Sequence, residues 1–297
     1  MPQLFEFRIP LPLDVDEFHR GQLYMTAKAE LEAATGREGV VVLKNEPYDN
    51  TDGHMGECPI TGTLVPRDRG QYTLKHYVFA SKVPGVLKAL APASALYLIE
   101  VAWNAYPHCK TVLVSGYLAK ETLKIDVETL HVAGDAYLDN ALGLSAAELK
   151  QRVVEFVDIR SAAQRDKPDY APERDASLFR SAKTGRGPLA DGWYIEAGRA
   201  AAAAAGGAGG PPRCPFMCAY KVVRVSCTVF GLGGTVEGAV LGQQRGLFAA
   251  THCKAFVTID EWIESTIADI RRLEDEAAAK TRAIMGDAAA VPAAAKA

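Results

Sequence analysis

Several things are scarce in this chain, and each scarcity excludes a class of protein. No run of roughly 18 apolar residues occurs apart from an alanine–glycine segment, so no membrane-spanning helix is expected. The opening "MPQLFEFRIP" has neither a basic start nor a long apolar stretch, so no secretory leader is expected. Basic residues are not in excess: 33 Lys and Arg face 36 Asp and Glu, for a net charge of −3, which argues against a nucleic-acid partner. Cysteine is sparse and arrhythmic, at positions 58, 109, 214, 218, 227 and 253, which fits reduced thiols better than a disulfide framework. The one close pair, in "CPFMC", lacks a second pair at zinc-site spacing, so no metal is expected. There is no Gly-x-Ser-x-Gly elbow and no His-Glu-x-x-His pair. "TGRGPL" has Gly-x-Gly but follows no predicted strand and lacks the Gly-Lys-Ser/Thr ending of a phosphate loop.

What remains is an ordinary globular composition, 48% hydrophobic and 23% charged, long enough at 297 residues to bury a sizeable core. "LFEFRIPLPL" reads as a strand, followed by a helix from the Asp of "DVDEFHRGQLYMTAKAELEAATG" to its Gly. A second strand, "GVVVLKNEPY", places Val41 and Leu43 in phase, and residues 50–70 form a polar, Gly- and Pro-rich insertion. Strands at "QYTLKHYVFA", "ALYLIEVAWNAYP", "CKTVLVSGYL" and "TLKIDVETLHV" follow at meander spacing, with a short helix "VPGVLKALAP" between the first two. This spacing predicts an antiparallel sheet. A helix near "SAAELKQ" and a strand near "RVVEFVDI" precede a long irregular stretch containing "GRAAAAAAGGAGGPP", read as a flexible surface insertion at 197–212. Residues 235–285 are helical in pattern, broken where Thr258 and Glu261 have capping-box spacing. The fold class is therefore α+β, a curved sheet wrapped around a long helix.

Such a sheet can be hollow, and polar residues in the apolar phase of its strands test for that. In "AYKVVRVSCTV" the face of Ala219, Val223, Val225 and Cys227 also carries Lys221. A lysine there either snorkels to water or meets an anion, because an unpaired buried ammonium costs several kcal/mol. Thr129 shares a face with Ile125, Val127 and His131, and Asn104 is in phase with Leu96 and Leu98. Lys75 lies with Thr73, Tyr77 and Phe79, although Leu74 and Val78 leave that strand ambiguous. On helices, Gln22 interrupts the stripe Phe18–Met25–Ala29, and Glu274 continues Ile263–Ile267–Ile270. The set fits a polyhydroxylated, anionic ligand inside a largely apolar cavity.

"GQLYMTAKAE", "GQYTLKHYVFASKVP", "WNAYPHCKTV", "KTGRGPL", "CPFMCAYK" and "DIRRLEDE" together resemble the soluble, single-domain phosphatidylinositol transfer proteins, in the same order from residue 2 to about 280. The resemblance implies a START-like helix-grip fold with helices closing an internal lipid cavity. It implies lipid-phosphate contacts at Gln22, Thr111, Thr129 and Lys221, and inositol contacts at Thr73, Lys75, Asn104 and Glu274. Cys109 falls near a choline headgroup, and Val229 and Phe230 replace paired tryptophans at the membrane-docking tip. Thr251 replaces an aromatic used with phosphatidylcholine, and Ser181 falls at a phosphorylatable position of a regulatory loop.

The expectation is a monomeric cytoplasmic carrier, with residues 1–285 as the lipid-binding domain and 286–297 as a disordered tail. It would exchange phosphatidylinositol, and phosphatidylcholine, between membranes through transient contact with their surfaces. It would need no cofactor and would not be an enzyme. The alternatives are a carrier for a different phospholipid or apolar lipid, or an enzyme on the same hollow fold.

Overall fold

A computed structural model describes residues 3–34, 38–78, 97–116, 119–162, 165, 170–205, 215–229 and 233–285. Eight strands form one curved sheet: β1 (Gln3–Leu11), β2 (Gly39–Asp49), β3 (Arg69–Val78), β4 (Tyr97–Ala105), β5 (His108–Ser115), β6 (Leu123–Ala133), β7 (Val153–Phe156) and β8 (Met217–Cys227). Their spatial order is β2-β3-β4-β5-β6-β8-β1-β7. Among the described residues six α-helices accompany them: α1 (Val15–Ala33), α2 (Ala146–Gln151), α3 (Trp193–Ala205), α4 (Gly233–Val257), α5 (Ile259–Trp262) and α6 (Ile267–Met285). The helix expected in "VPGVLKALAP" lies outside the described residues.

The sheet is α+β in class but mixed rather than wholly antiparallel. β7 pairs in parallel with β1, Phe5 facing Val153 and Arg8 facing Phe156. Only a hairpin imposes antiparallel pairing. β7 is instead reached from β6 by residues 134–152, longer than the dozen or so residues a parallel crossover needs. Leu43 also departs from expectation. A bulge between Val42 and Lys44 shifts the register of β2, and Leu43 turns outward to 44% exposure.

The concave face of the sheet holds the main core, in which Phe7, Phe18, Val223, Phe248, Phe256 and Trp262 are buried together. α1 starts at a capping box, the Asp14 carboxylate accepting from the Glu17 N–H and Glu17 accepting from the Asp14 N–H. Gly21 lets α1 lie against Trp262, because a Cβ there would fall 2.7 Å from the indole ring. The break expected at Thr258 is present, but Thr258 does not cap. Its hydroxyl donates to the Lys254 carbonyl, and the working box is Thr266 with Asp269 at the start of α6.

The convex face is not bare. The insertion at 50–70 packs Cys58 and Val65 onto Tyr97, Val101, Trp103 and Val112, making a second core outside the sheet. Gly53, Gly56 and Gly62 take positive φ in its turns, where a side chain would be strained. Helix α3 corrects the reading of an irregular stretch from 193 to 205, and Ala201 is buried in the main core. Alanine is the best helix former, so its run reads as helix before the glycines. Residues 206–214 lie outside the described residues.

Candidate functional site

A cavity of about 340 Å³ opens between the concave face and the helices α1, α4 and α6. The pleat and the strand register together build its floor. Asn104 faces Cys109, Cys109 faces Thr129, and Thr129 faces Lys221, so one cross-strand row runs over β4, β5, β6 and β8. The next row is Thr73, Ala102, Thr111 and Val127, and the one after it Lys75, Glu100 and Leu113. Gln22 closes the cavity from α1, Thr251 from α4 and Glu274 from α6. All eight polar residues expected to meet phosphate or inositol, together with Cys109 and Thr251, line this one space. The ambiguity of β3 is thereby resolved: Lys75 faces inward, and Leu74 and Val78 pack on the outer core.

At one end Lys221 lies over the Phe248 ring, 5.2 Å from its centroid, and donates to the Thr129 hydroxyl at 3.2 Å. No carboxylate pairs with it among the described residues. Burial therefore acts almost unopposed and pulls its pKa down from 10.5 to about 8. Burial likewise lifts the Cys109 thiol to about 11, with Lys221 opposing, so this sulfur is not a thiolate at neutral pH.

Two further groups at this end were missed by the sequence reading as cavity groups. His131 and His252 each place Nδ1 against a backbone carbonyl, Pro107 at 3.0 Å and Phe248 at 2.8 Å. A carbonyl only accepts, so Nδ1 carries the proton and Nε2 presents a lone pair. Both Nε2 atoms are buried without a hydrogen-bond partner among the described residues. Burial, then Lys221, holds His252 at about 3 and His131 well below its usual range, so both imidazoles are neutral.

At the other end Lys75 sits among carboxylates. Its Nζ donates to Glu30 Oε1 at 2.6 Å, with both side chains 12% exposed. Burial would lower its pKa, but Glu30, Glu100 and Glu274 outweigh that and raise it. Glu274 accepts from Arg271 Nη1 at 2.6 Å, and burial raises its pKa against that pairing. Glu100, cross-strand from Lys75, is raised by burial despite Lys75 and Tyr77. The sequence reading also missed Glu30 and Glu100. The parity argument that found Asn104 would have found Glu100, two residues from Ala102 on the same face. Glu30 continues the α1 positions Gln22 and Thr26 at spacings of four.

The remaining expected residues lie elsewhere. Val229 follows the end of β8 and is partly buried, its carbonyl accepting from the Gly233 N–H; Phe230 lies outside the described residues. Ser181 is 2% exposed, donates to Asp260 at 2.5 Å and accepts from the Thr184 N–H at 2.9 Å. Among the described residues no group of three His, Cys, Asp or Glu could hold a metal ion, and no helix is long and apolar enough to cross a membrane.

A family described as phosphatidylinositol transfer protein matches residues 3–279. The chain is 39% identical over 271 residues to the phosphatidylinositol transfer protein beta isoform of Rattus norvegicus, covering 91% of this chain and 90% of that one. It is 37% identical over 269 residues to phosphatidylinositol transfer protein 1 of Dictyostelium discoideum, with coverages of 91% and 90%. A mouse membrane-associated phosphatidylinositol transfer protein 1 is 39% identical over 277 residues, which cover 92% of this chain and 20% of that one.

Proposed function

The chain belongs to the phosphatidylinositol transfer protein family, and from that premise we propose that it binds one phosphatidylinositol in this cavity and exchanges it between membranes. The observation that carries the assignment is Lys221, a partly buried side chain on the concave face whose desolvated ammonium has no carboxylate partner among the described residues. A phosphodiester is the missing counter-charge. The Thr129 hydroxyl, which accepts from Lys221, still has its proton to donate, and Thr111 and Gln22 complete the phosphate end. Thr73, Lys75, Asn104 and Glu274 meet the inositol hydroxyls.

The physics of extraction explains the hollow. A diacyl lipid has roughly 30 methylenes, each worth about 0.8 kcal/mol out of water, so exposing both chains costs on the order of 25 kcal/mol. That exceeds the roughly 18–21 kcal/mol ceiling on non-covalent affinity. The helix-grip cavity, START-like in its plan, replaces one apolar solvent with another, and the polar floor selects the headgroup.

Phosphatidylcholine is a second cargo in this reading, its headgroup near Cys109 on the cavity floor. Residues 1–285 act as a single monomeric carrier that works in the cytoplasm, without chemistry on its cargo. It touches membranes briefly through the β8 end at Val229 and Phe230. Ser181 is a modification site only when its loop leaves Asp260.

Lys221→Ala tests the reading in a vesicle-to-vesicle transfer assay. Loss of transfer of every phospholipid cargo is expected. Unchanged transfer would return Lys221 to a stem laid on apolar surface with its charge in water.

A further inference from the structure

Lys75 stands at a junction. On one side is the headgroup cavity, and on the other a second, polar pocket of about 390 Å³ between α1, β2 and α6; Thr26, Thr73, Lys75 and Glu274 line both. Of the two, Glu30 lines the outer pocket, with Lys44, Asp275 and Arg282, yet its carboxylate holds Lys75 Nζ at 2.6 Å. The ammonium therefore has a choice of partners: Glu100 directly across the strand pair on the sheet, or Glu30 on the helix. Arg271 engages Glu274 at 2.6 Å, so Glu274 is not the competitor for it.

We propose that Glu30 is a specificity-determining residue of the headgroup site, acting as a positioning residue that lifts the Lys75 ammonium off the sheet and holds it at the far wall of the cavity. An ammonium has three N–H donors, and Glu30 takes one. The other two remain for hydroxyl oxygens of a polyol headgroup, which is uncharged beyond its phosphate. Pairing with Glu30 also neutralises Lys75, so the inositol end reads hydroxyl geometry rather than charge. Without Glu30, Lys75 falls back to Glu100, its cross-strand neighbour, and the donors leave the position from which they meet the ring.

This inference rests on the proposed inositol site, and the experiment separates the two. Exchange of labelled phosphatidylinositol and of labelled phosphatidylcholine from vesicles is measured for wild type, Glu30→Gln and Lys75→Ala, with the thermal midpoint of each. Glu30→Gln keeps the shape and removes the charge. The expected result is an approximately tenfold drop in phosphatidylinositol exchange, the size of one charge-assisted hydrogen bond, together with a shifted phosphatidylinositol-to-phosphatidylcholine ratio. An equal fall in both cargoes would make Glu30 a merely structural residue and overturn the proposal. If Lys75→Ala loses phosphatidylinositol exchange while Glu30→Gln does not, the inositol site stands and the role of Glu30 is refuted. If Lys75→Ala leaves phosphatidylinositol exchange unchanged, the inositol site itself fails and Glu30 fails with it. Should Glu30→Gln not fold, Glu30→Asp replaces it. Its carboxylate is one methylene short of Lys75, so the same shift in cargo ratio is expected and an unchanged ratio refutes the proposal.

Discussion

A desolvated ammonium is a liability when no carboxylate pairs with it, and among the described residues none pairs with Lys221. Its pKa falls from 10.5 to about 8, so between those values the unfolded chain holds a proton that the folded chain has released. The penalty is fully present below pH 8, on the order of 3 kcal/mol, and is relieved as pH rises from 8 toward 10.5. Lys221→Met should therefore stabilise the lipid-free protein at pH 7 while abolishing transfer, and should remove the rise in stability above pH 8. Denaturant unfolding at pH 7 and pH 9.5 checks this; a variant less stable than wild type at pH 7 would mean that the ammonium is not desolvated. The residues of this end were legible because one lysine among valines breaks a period-two pattern. Glu30 was not, since a glutamate on an amphipathic helix looks like solvated surface until its strand partner is known. His131 and His252 were equally silent, because a neutral core histidine and a cavity histidine share the same pattern.

Elements were readable where their period was strong and misread where the chain left the local rules. β6 alternates strictly and β4 nearly so, whereas a bulge interrupts β2 and burial on both faces blurs β1 and β8. The parallel pairing of β7 depends on a crossover over the convex face, which no local signal encodes. Likewise the 50–70 segment has a loop-like composition, yet it buries Cys58 and Val65 because the outer face of β3–β5 needs cover. α3 was misread because an alanine run followed by glycines resembles a linker in composition and a helix in propensity. Helix α1 supplies the test at this scale, since it carries Gln22 and Glu30 and its distance from α5 is set by Gly21. Gly21→Val would drive methyl groups into the Trp262 ring, which is fully buried and fixed by its Nε1–H to the Ala255 carbonyl at 2.9 Å. Overpacking should cost about 2 kcal/mol and displace Gln22, lowering both the thermal midpoint and phosphatidylinositol exchange. An unchanged midpoint would show that α1 can shift without loss, and that Gly21 is not what positions it.

As a whole the molecule is a sheet with two coats and a polar-floored hollow. The outer coat of residues 50–66 and 135–152 covers the convex face, and the concave face carries both the main core and the cavity. A cavity of about 340 Å³ is in the range of small-molecule pockets and suits a headgroup. Two acyl chains need more room than this headgroup-sized space. This hollow is expected to hold one phosphatidylinositol. The most direct measurement is mass spectrometry of the lipid retained after the protein is incubated with mixed phospholipid vesicles and re-isolated from them. One phospholipid per chain is expected, with phosphatidylinositol enriched over its share in the vesicles. Protein recovered without phospholipid, or carrying phospholipids in the vesicle's own proportions, would contradict it.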